Sequence, residues 1–531
     1  MDLDHTDHGP SRSASAPVEA VAAAESKKRH ISRRTLLKVS AGAGLATAGT
    51  AALIDALVVE PQRLSHAAPS KYPDIQYDIG AYIPPALALG GIMFRFGPVY
   101  VLFITMKLTR EPQLPDRILF DRALGKIEAT YHFSPSGVIP IVSWGLPYFS
   151  KLKGGLTGQV VSNHMPRLLS DPSRYALEEA MPSPTDVHPS NPGVRKKTFN
   201  VPLVIEDNDL LLSLRSDNLD ILSDVANWLQ GSDTLKGKAV ASPQLPFAVT
   251  SSRLMFVQLG LPRKMGDRLG LPYATRLNPQ SPMWFGYADQ NVTGAGPAAI
   301  TTFQGNASAR VTNVSSPADY FYNGCIQPLN HNIEDLMQWY FGGDTVKDNG
   351  YAVRTMYMYR GNPVPEIGFA DQFTDGGGPA FIENIFAGAK DAENAATGAN
   401  MSPFDSNEPV LGHLQLLQRS SRASDGTPMH IRMDGPGFDS MDVPDGSPQP
   451  KLHFSGFFPS ADFFSTMRKN GASLELVNTA RGFGQVPGEV GGQGVEPEDD
   501  GIERFITATR RQMFLCPPRR HRSFPLIELS R

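Results

Sequence analysis

Apolar residues concentrate in four blocks, each a strand-like run followed by positions at helical spacing. Residues 99–106 form a strand-like run that is apolar except for Thr105, and a helix is predicted from about Asp116 to Ile127, opened through Pro115. Residues 209–215 form a second strand, after which Ser216, Asp217 and Asn218 supply cap side chains and Leu219, Leu222, Ala226 and Leu229 recur at helical spacing. A third strand is predicted over 320–326, with a helix after Asn330 that gathers Ile333, Leu336, Met337 and Tyr340 on one face. A fourth spans 451–458, with Ser460 as cap and Phe463, Phe464 and Met467 packing inward. Two strand–helix units in each half predict an α+β chain: two ferredoxin-like halves, antiparallel sheets with helices on one face. The halves are assigned to residues 69–300 and 301–531 on element order, since they share no evident sequence repeat.

Between the blocks the pattern lapses. Proline and glycine make up about 18% of the chain and gather in the connections, so long loops are expected. Residues 342–407, with Gly376-Gly377-Gly378-Pro379, read as an inserted loop, and residues 484–501 as a polar surface excursion.

The first 68 residues follow another logic. Ser32-Arg33-Arg34-Thr35-Leu36-Leu37-Lys38 sets paired arginines before a charge-free stretch, residues 39–54, and Ser65-His66-Ala67-Ala68 offers small residues for a peptidase. This is the order of a twin-arginine signal peptide. It implies a translocase as partner, export to the periplasm or beyond, and a mature chain starting near Ala68. The stretch is rich in glycine and alanine and is interrupted by Asp55, so no stable membrane span is expected. Its removal shifts the net charge only from −4 to about −5, which gives no support to a nucleic-acid partner.

The chemistry on offer is sparse. Cys325 and Cys516 are the only cysteines, which excludes a CxxC metal site, an iron–sulfur cluster and a disulfide framework, and two buried thiols are expected rather than a bridge. Eight histidines lie beyond the signal: His132, His164, His188, His331, His413, His430, His453 and His521. None forms HExxH, and no nucleophile elbow or phosphate-binding loop occurs.

Residues 419–432 run from Arg419 through Ser420, Ser421, Gly426 and Pro428 to His430-Ile431-Arg432. This segment resembles the one that ends in the iron-ligating histidine of the dye-decolorizing (DyP-type) haem peroxidases. Fragments resembling that family follow in its order: 209–229, the loop 282–290, 320–339, 451–467 and 505–518. The resemblance implies the same pair of ferredoxin-like halves, in the dimeric α/β-barrel superfamily, and a haem b cofactor. It further implies His430 as proximal iron ligand, Arg419 and Arg432 as cofactor contacts, with Arg419 on a propionate, and Asp289 as the distal carboxylate that moves the proton of peroxide.

Asp371 rivals Asp289, because Gly286-Tyr287-Ala288-Asp289-Gln290 and Gly368-Phe369-Ala370-Asp371-Gln372 are near copies that both lack the family's final glycine. The family's distal arginine has no counterpart, since no arginine occurs between Arg432 and Arg468; Lys451 is a poor geometric substitute. The leading expectation is thus an exported haem protein, a DyP-type peroxidase that oxidises an organic substrate with peroxide. The alternatives are an exported binding or structural protein of the same fold that has lost haem or activity, and a non-haem centre on ligands such as His413, His430 and Asp434. Oligomerisation is left open.

Overall fold

A computed structural model describes residues 48–59, 72–83, 87–89, 92–94, 97–169, 171–180, 198–199, 201–277, 279, 281–285, 298–304, 311–341, 430–461 and 505–530. Arg33-Arg34, the peptidase site, both polar inserts and the helix expected after Ser460 lie outside these residues.

The first half begins with β1, Tyr100–Leu108, in which the first seven residues are all buried. Helix α2, Leu114–Tyr131, follows α1, Ala48–Leu57, in chain order. It starts where Pro115 fixes the first turn and Gln113 and Asp116 cap each other's backbone reciprocally. Arg110 forks onto Asp116 at 2.6 and 2.7 Å and holds that turn in place. Strand β2 is Ile139–Gly145 and β3 is Leu210–Ser216; α3, Leu219–Leu229, is capped by Asn218, whose side chain accepts from the Asp220 backbone N–H at 2.9 Å. Strand β4, Phe247–Phe256, and α4, Leu261–Leu269, complete this half. The strand order β2-β3-β1-β4, with every pair antiparallel, is that of a ferredoxin-like unit.

The second half repeats the order. Strand β5, Cys325–Glu334, leads into α5, Leu336–Phe341; β6, Ile431–Arg432, and β7, Gly435–Asp439, both pair with β8, Gln449–Phe457; and β9, Ile506–Cys516, closes the unit beside β5. The order is β9-β5-β8 with β7 and β6 outermost, again antiparallel. The chain is therefore α+β, with two ferredoxin-like halves. One ten-stranded sheet joins them where Phe514 and Leu515 of β9 pair with Gly145 and Trp144 of β2.

The sheet also curls until its outer strands meet. A Cβ at Gly435 of β7 would lie 2.6 Å from Val257 Cγ2, just beyond β4, and one at Gly437 would lie 3.2 Å from the Leu254 carbonyl oxygen. Glycine suits both points, since a side chain would collide with Val257 and Met255 at Gly435 and with the His453 ring at Gly437. Alternation along each strand sorts residues between two cores. Leu102, Ile104, Leu212 and Leu214 face Phe120, Leu124, Leu222 and Val225 of the helices, whereas Val101, Phe103, Ile141 and Leu211 point inward with Leu329, Phe457, Cys325 and Cys516. Cys325 and Cys516 are register partners across β5 and β9, both buried as free thiols.

Two expectations are corrected. The third strand runs over 325–334, not 320–326, and Ile333 belongs to it; α5 starts only at Leu336, and Met337 is exposed. Asn330, His331 and Asn332 are polar yet buried, which broke the apolar pattern exactly where the strand continues. The second correction concerns the N-terminal segment, expected to lie wholly outside the fold. Residues 48–59 pack on it: Ala51 and Ile54 of α1 are buried, Tyr100 donates to Asp55 Oδ1 at 3.0 Å, and the Gln258 side chain bonds the Val59 backbone in both directions. Small side chains let α1 approach α4 closely. Among the described residues no helix is long and apolar enough to cross a membrane.

A chain beginning at Ala68 is expected to be less stable than the full chain by about 2 kcal/mol, the scale for burying an isoleucine and an alanine, read from urea midpoints. Equal midpoints would show that α1 contributes nothing.

A pH dependence follows from His521, whose ring stacks on Tyr320 at 3.7 Å. Burial, then the charges of Arg520 and Arg117, pushes its pKa down to about 4. The unfolded chain binds that proton near pH 6.5, so between these values the unfolded state holds more protons and stability falls as pH drops. The slope of stability against pH over this window should be shallower in His521→Gln.

Candidate functional site

The inner face of the second half is polar where the corresponding face of the first is largely apolar. His331 of β5 and His453 of β8 are direct cross-strand partners, with ring centroids 5.2 Å apart. Lys451 precedes His453 by two residues and so shares its face, and Asp439 arrives from β7 on the other side of β8. All four are buried. Asp439 Oδ1 lies 3.5 Å from His331 Nε2 and 3.6 Å from Lys451 Nζ, and its Oδ2 lies 3.7 Å from His453 Nε2.

Further charges surround this centre. Thr509 Oγ1 is 2.8 Å from His331 Nδ1 and donates to Asp442 at 2.8 Å; Asp442 is clasped by Arg510 at 2.7 and 2.8 Å. Arg253 comes from the first half, with a fully buried side chain that donates to both oxygens of Glu206 at 2.5 and 2.6 Å. Arg510 also reaches Glu206, at 3.6 Å.

Burial pushes Lys451 down from the usual lysine range, although the Asp439 charge opposes it, and Lys451 donates to the Met441 carbonyl at 2.6 Å. Burial, then His331, holds His453 well below the ordinary imidazole value, so its ring is neutral. Burial alone would raise Asp439, but His331 and then Lys451 more than offset this, and the carboxyl stays ionised below the usual range. The site is thus a carboxylate shared by two imidazoles and an amine, within a ring of paired charges.

The residues singled out from sequence are only partly brought together. His430 is buried immediately before β6, its ring stacked on Phe458 at 5.2 Å and 20°. Phe458 lies five residues beyond His453, or about 17 Å along a strand, so His430 does not belong to the Asp439 cluster. Arg432 lies with its Nε 3.8 Å from Asp434 Oδ1, so Asp434 serves an ion pair. Asp289, Asp371, Arg419 and His413 lie outside the described residues. The non-haem ligand set expected at His413, His430 and Asp434 includes His413, outside the described residues; among the described residues, His331, Asp439 and His453 are the group that could hold a metal ion. Arg253 and Asp439 carried no sequence signal, and His331 and His453 carried none beyond being histidines, because cross-strand pairing has no fixed spacing in the chain.

Removing the carboxylate should leave Lys451 buried and unpaired. Asp439→Ala is expected to lower stability by about 3 to 5 kcal/mol, and Lys451→Met in the same chain to recover part of that loss. Urea denaturation of the two single variants and the double variant reads the coupling; additive losses would contradict it.

Comparison with known proteins places these features. Residues 173–518 match the sequence profile of a family of unknown function, DUF7405. No curated protein matches. Among solved structures, a Rhodococcus jostii RHA1 DypB variant in complex with haem is 11% identical, at a TM-score of 0.39 over 81% of this chain and 96% of that one. The encapsulated DyP-type peroxidase of Mycobacterium smegmatis is 11% identical, at 0.38 over 84% and 97%. A dye-decolorizing peroxidase of Bacteroides thetaiotaomicron is 13% identical, at 0.37 over 85% and 100%.

Proposed function

We propose that this chain, which belongs to the DUF7405 family, is an exported haem-binding oxidoreductase that uses peroxide to oxidise an organic substrate, with His430 as its iron ligand. The observation that carries the reading is the placement of His430. It is 6% exposed, at the start of an outer strand of the second ferredoxin-like half, with its ring flat against Phe458. A haem-ligating imidazole is shielded from bulk water, and His430, buried and stacked on Phe458, is so shielded. The order of sequence fragments around 419–432 supports the same assignment.

Arg419 and Arg432 are the candidate cofactor contacts, with Arg419 as the partner of a propionate; Arg432 also lies with its Nε 3.8 Å from Asp434 Oδ1. Bound haem would supply the redox chemistry, reducing peroxide while the organic substrate is oxidised. The chain's own contributions would be a ligand in His430, a charge partner in Arg419 and a proton-moving carboxylate in Asp289 or its rival Asp371. Export rests on the paired arginines ahead of the charge-free stretch, with the twin-arginine translocase as partner and the periplasm or the exterior as destination.

The test is the absorption spectrum of the full chain folded in cells supplied with haem. A Soret band that is present in the native protein and lost in His430→Ala is expected. A native protein that shows no such band and takes up no added haem would remove the reading.

A further inference from the structure

The Asp439 cluster has the chemistry of a metal site, and it lies on residues separate from His430. The candidate ligand atoms of His331, Asp439 and His453 all lie within 4.8 Å of one another. An ion bonded at about 2.1 Å to each of two ligands holds them roughly 3 to 3.5 Å apart. The two imidazole–carboxylate distances, 3.5 and 3.7 Å, are already close to that spacing.

The imidazoles are also oriented for it. Thr509 sits on His331 Nδ1 at 2.8 Å with Asp442 behind it at 3.5 Å, which turns Nε2 toward Asp439. An outer hydroxyl or carboxylate fixing the far nitrogen is the usual support of a ligating histidine. His331 Nε2 and both ring nitrogens of His453 make no hydrogen bond, whereas buried polar atoms ordinarily find one. Gly437 keeps the space beside His453 clear, since a Cβ there would lie 2.3 Å from His453 Nε2.

We infer that His331, Asp439 and His453 form a binding site for a divalent first-row transition ion, of the class of manganese, iron, cobalt or zinc. Two imidazoles and one carboxylate suit these ions better than magnesium or calcium, and they leave coordination positions open for water or a small oxygen ligand. The site draws on β5, β7 and β8 of the second half and does not depend on whether haem is bound.

The surrounding charges set its strength. Asp439, Asp442 and Glu206 face Lys451, Arg253 and Arg510, three negative groups against three positive ones. Lys451 Nζ stands 3.6 Å from Asp439 Oδ1 and competes with an incoming cation for the same carboxylate. Removing its charge therefore strengthens binding.

The experiment is a Co²⁺ titration of the full wild-type chain after treatment with a chelator, followed in the visible ligand-field bands and by calorimetry. One ion per chain is expected, with cobalt-edge X-ray absorption reporting imidazole and oxygen ligands. Asp439→Asn and His453→Gln should each weaken binding about 100-fold or more, and Lys451→Gln should tighten it about tenfold. Absence of Co²⁺ binding to the wild-type chain overturns the site, as does an absorption spectrum without imidazole scattering, a readout that needs no variant. Affinity unchanged in both ligand variants does the same. A chain that binds Co²⁺ but gives no Soret band defeats only the haem assignment, and the converse result defeats only this site.

Discussion

Every charge on the inner face of this sheet must find its partner inside the protein. Helices cover one face, and the curl that brings β7 against β4 shuts water from much of the other. A carboxylate, an amine or a guanidinium there loses its hydration and stays charged only where another group replaces it. Asp439 meets that condition with Lys451 and two imidazoles, Arg253 with Glu206, and Asp442 with Arg510. These pairs bind the inner strands to one another more specifically than apolar packing would, at a desolvation cost that makes each partner indispensable.

The two halves share a strand order but use their inner faces differently. In the first half Val101, Phe103, Ile141 and Leu211 fill the interior, and this face supports the rest by packing. In the second, Gln327 joins the halves: Ser143 of β2 donates to its amide oxygen at 2.6 Å, and Ser213 of β3 accepts from its amide nitrogen at 3.3 Å. Beyond that layer the face becomes ionic. Arg253 is the exception that crosses over: it belongs to the first half, yet its charge acts on His453 of the second. No arginine occurs between Arg432 and Arg468, but the buried guanidinium of Arg253 reaches this interior from β4.

Much of the fold was legible in the sequence because local pattern and tertiary burial agree there. Residues 99–106 and 209–215 are mostly apolar since both faces are buried, and Asn218 is the cap its position suggested. Strands β2 and β4 escaped notice: β2 carries Pro140, Ser143 and Gly145, and β4 carries Thr250, Ser251, Ser252 and Arg253 in its middle. The strand at 325–334 was displaced in the reading by its own functional content, since Asn330, His331 and Asn332 interrupt the pattern by which a strand is recognised. The site was the least legible part. Its residues lie on β5, more than a hundred positions earlier in the chain, and on β7 and β8, and only the pairing of strands makes them neighbours. His430, by contrast, stood out through the motif ending in His-Ile-Arg, and its burial beside Phe458 agrees with a structural or ligating role that composition alone could not suggest. The small side chains of the N-terminal helix, which would yield little by transfer to lipid, suit close packing against α4.

The central claim is that the second half holds a redox iron on His430. Diffraction from crystals of the full chain, recorded on both sides of the iron absorption edge, tests it most directly. The account predicts an anomalous peak within bonding distance of a ring nitrogen of His430. A well-ordered His430 with no iron peak beside it would contradict the account.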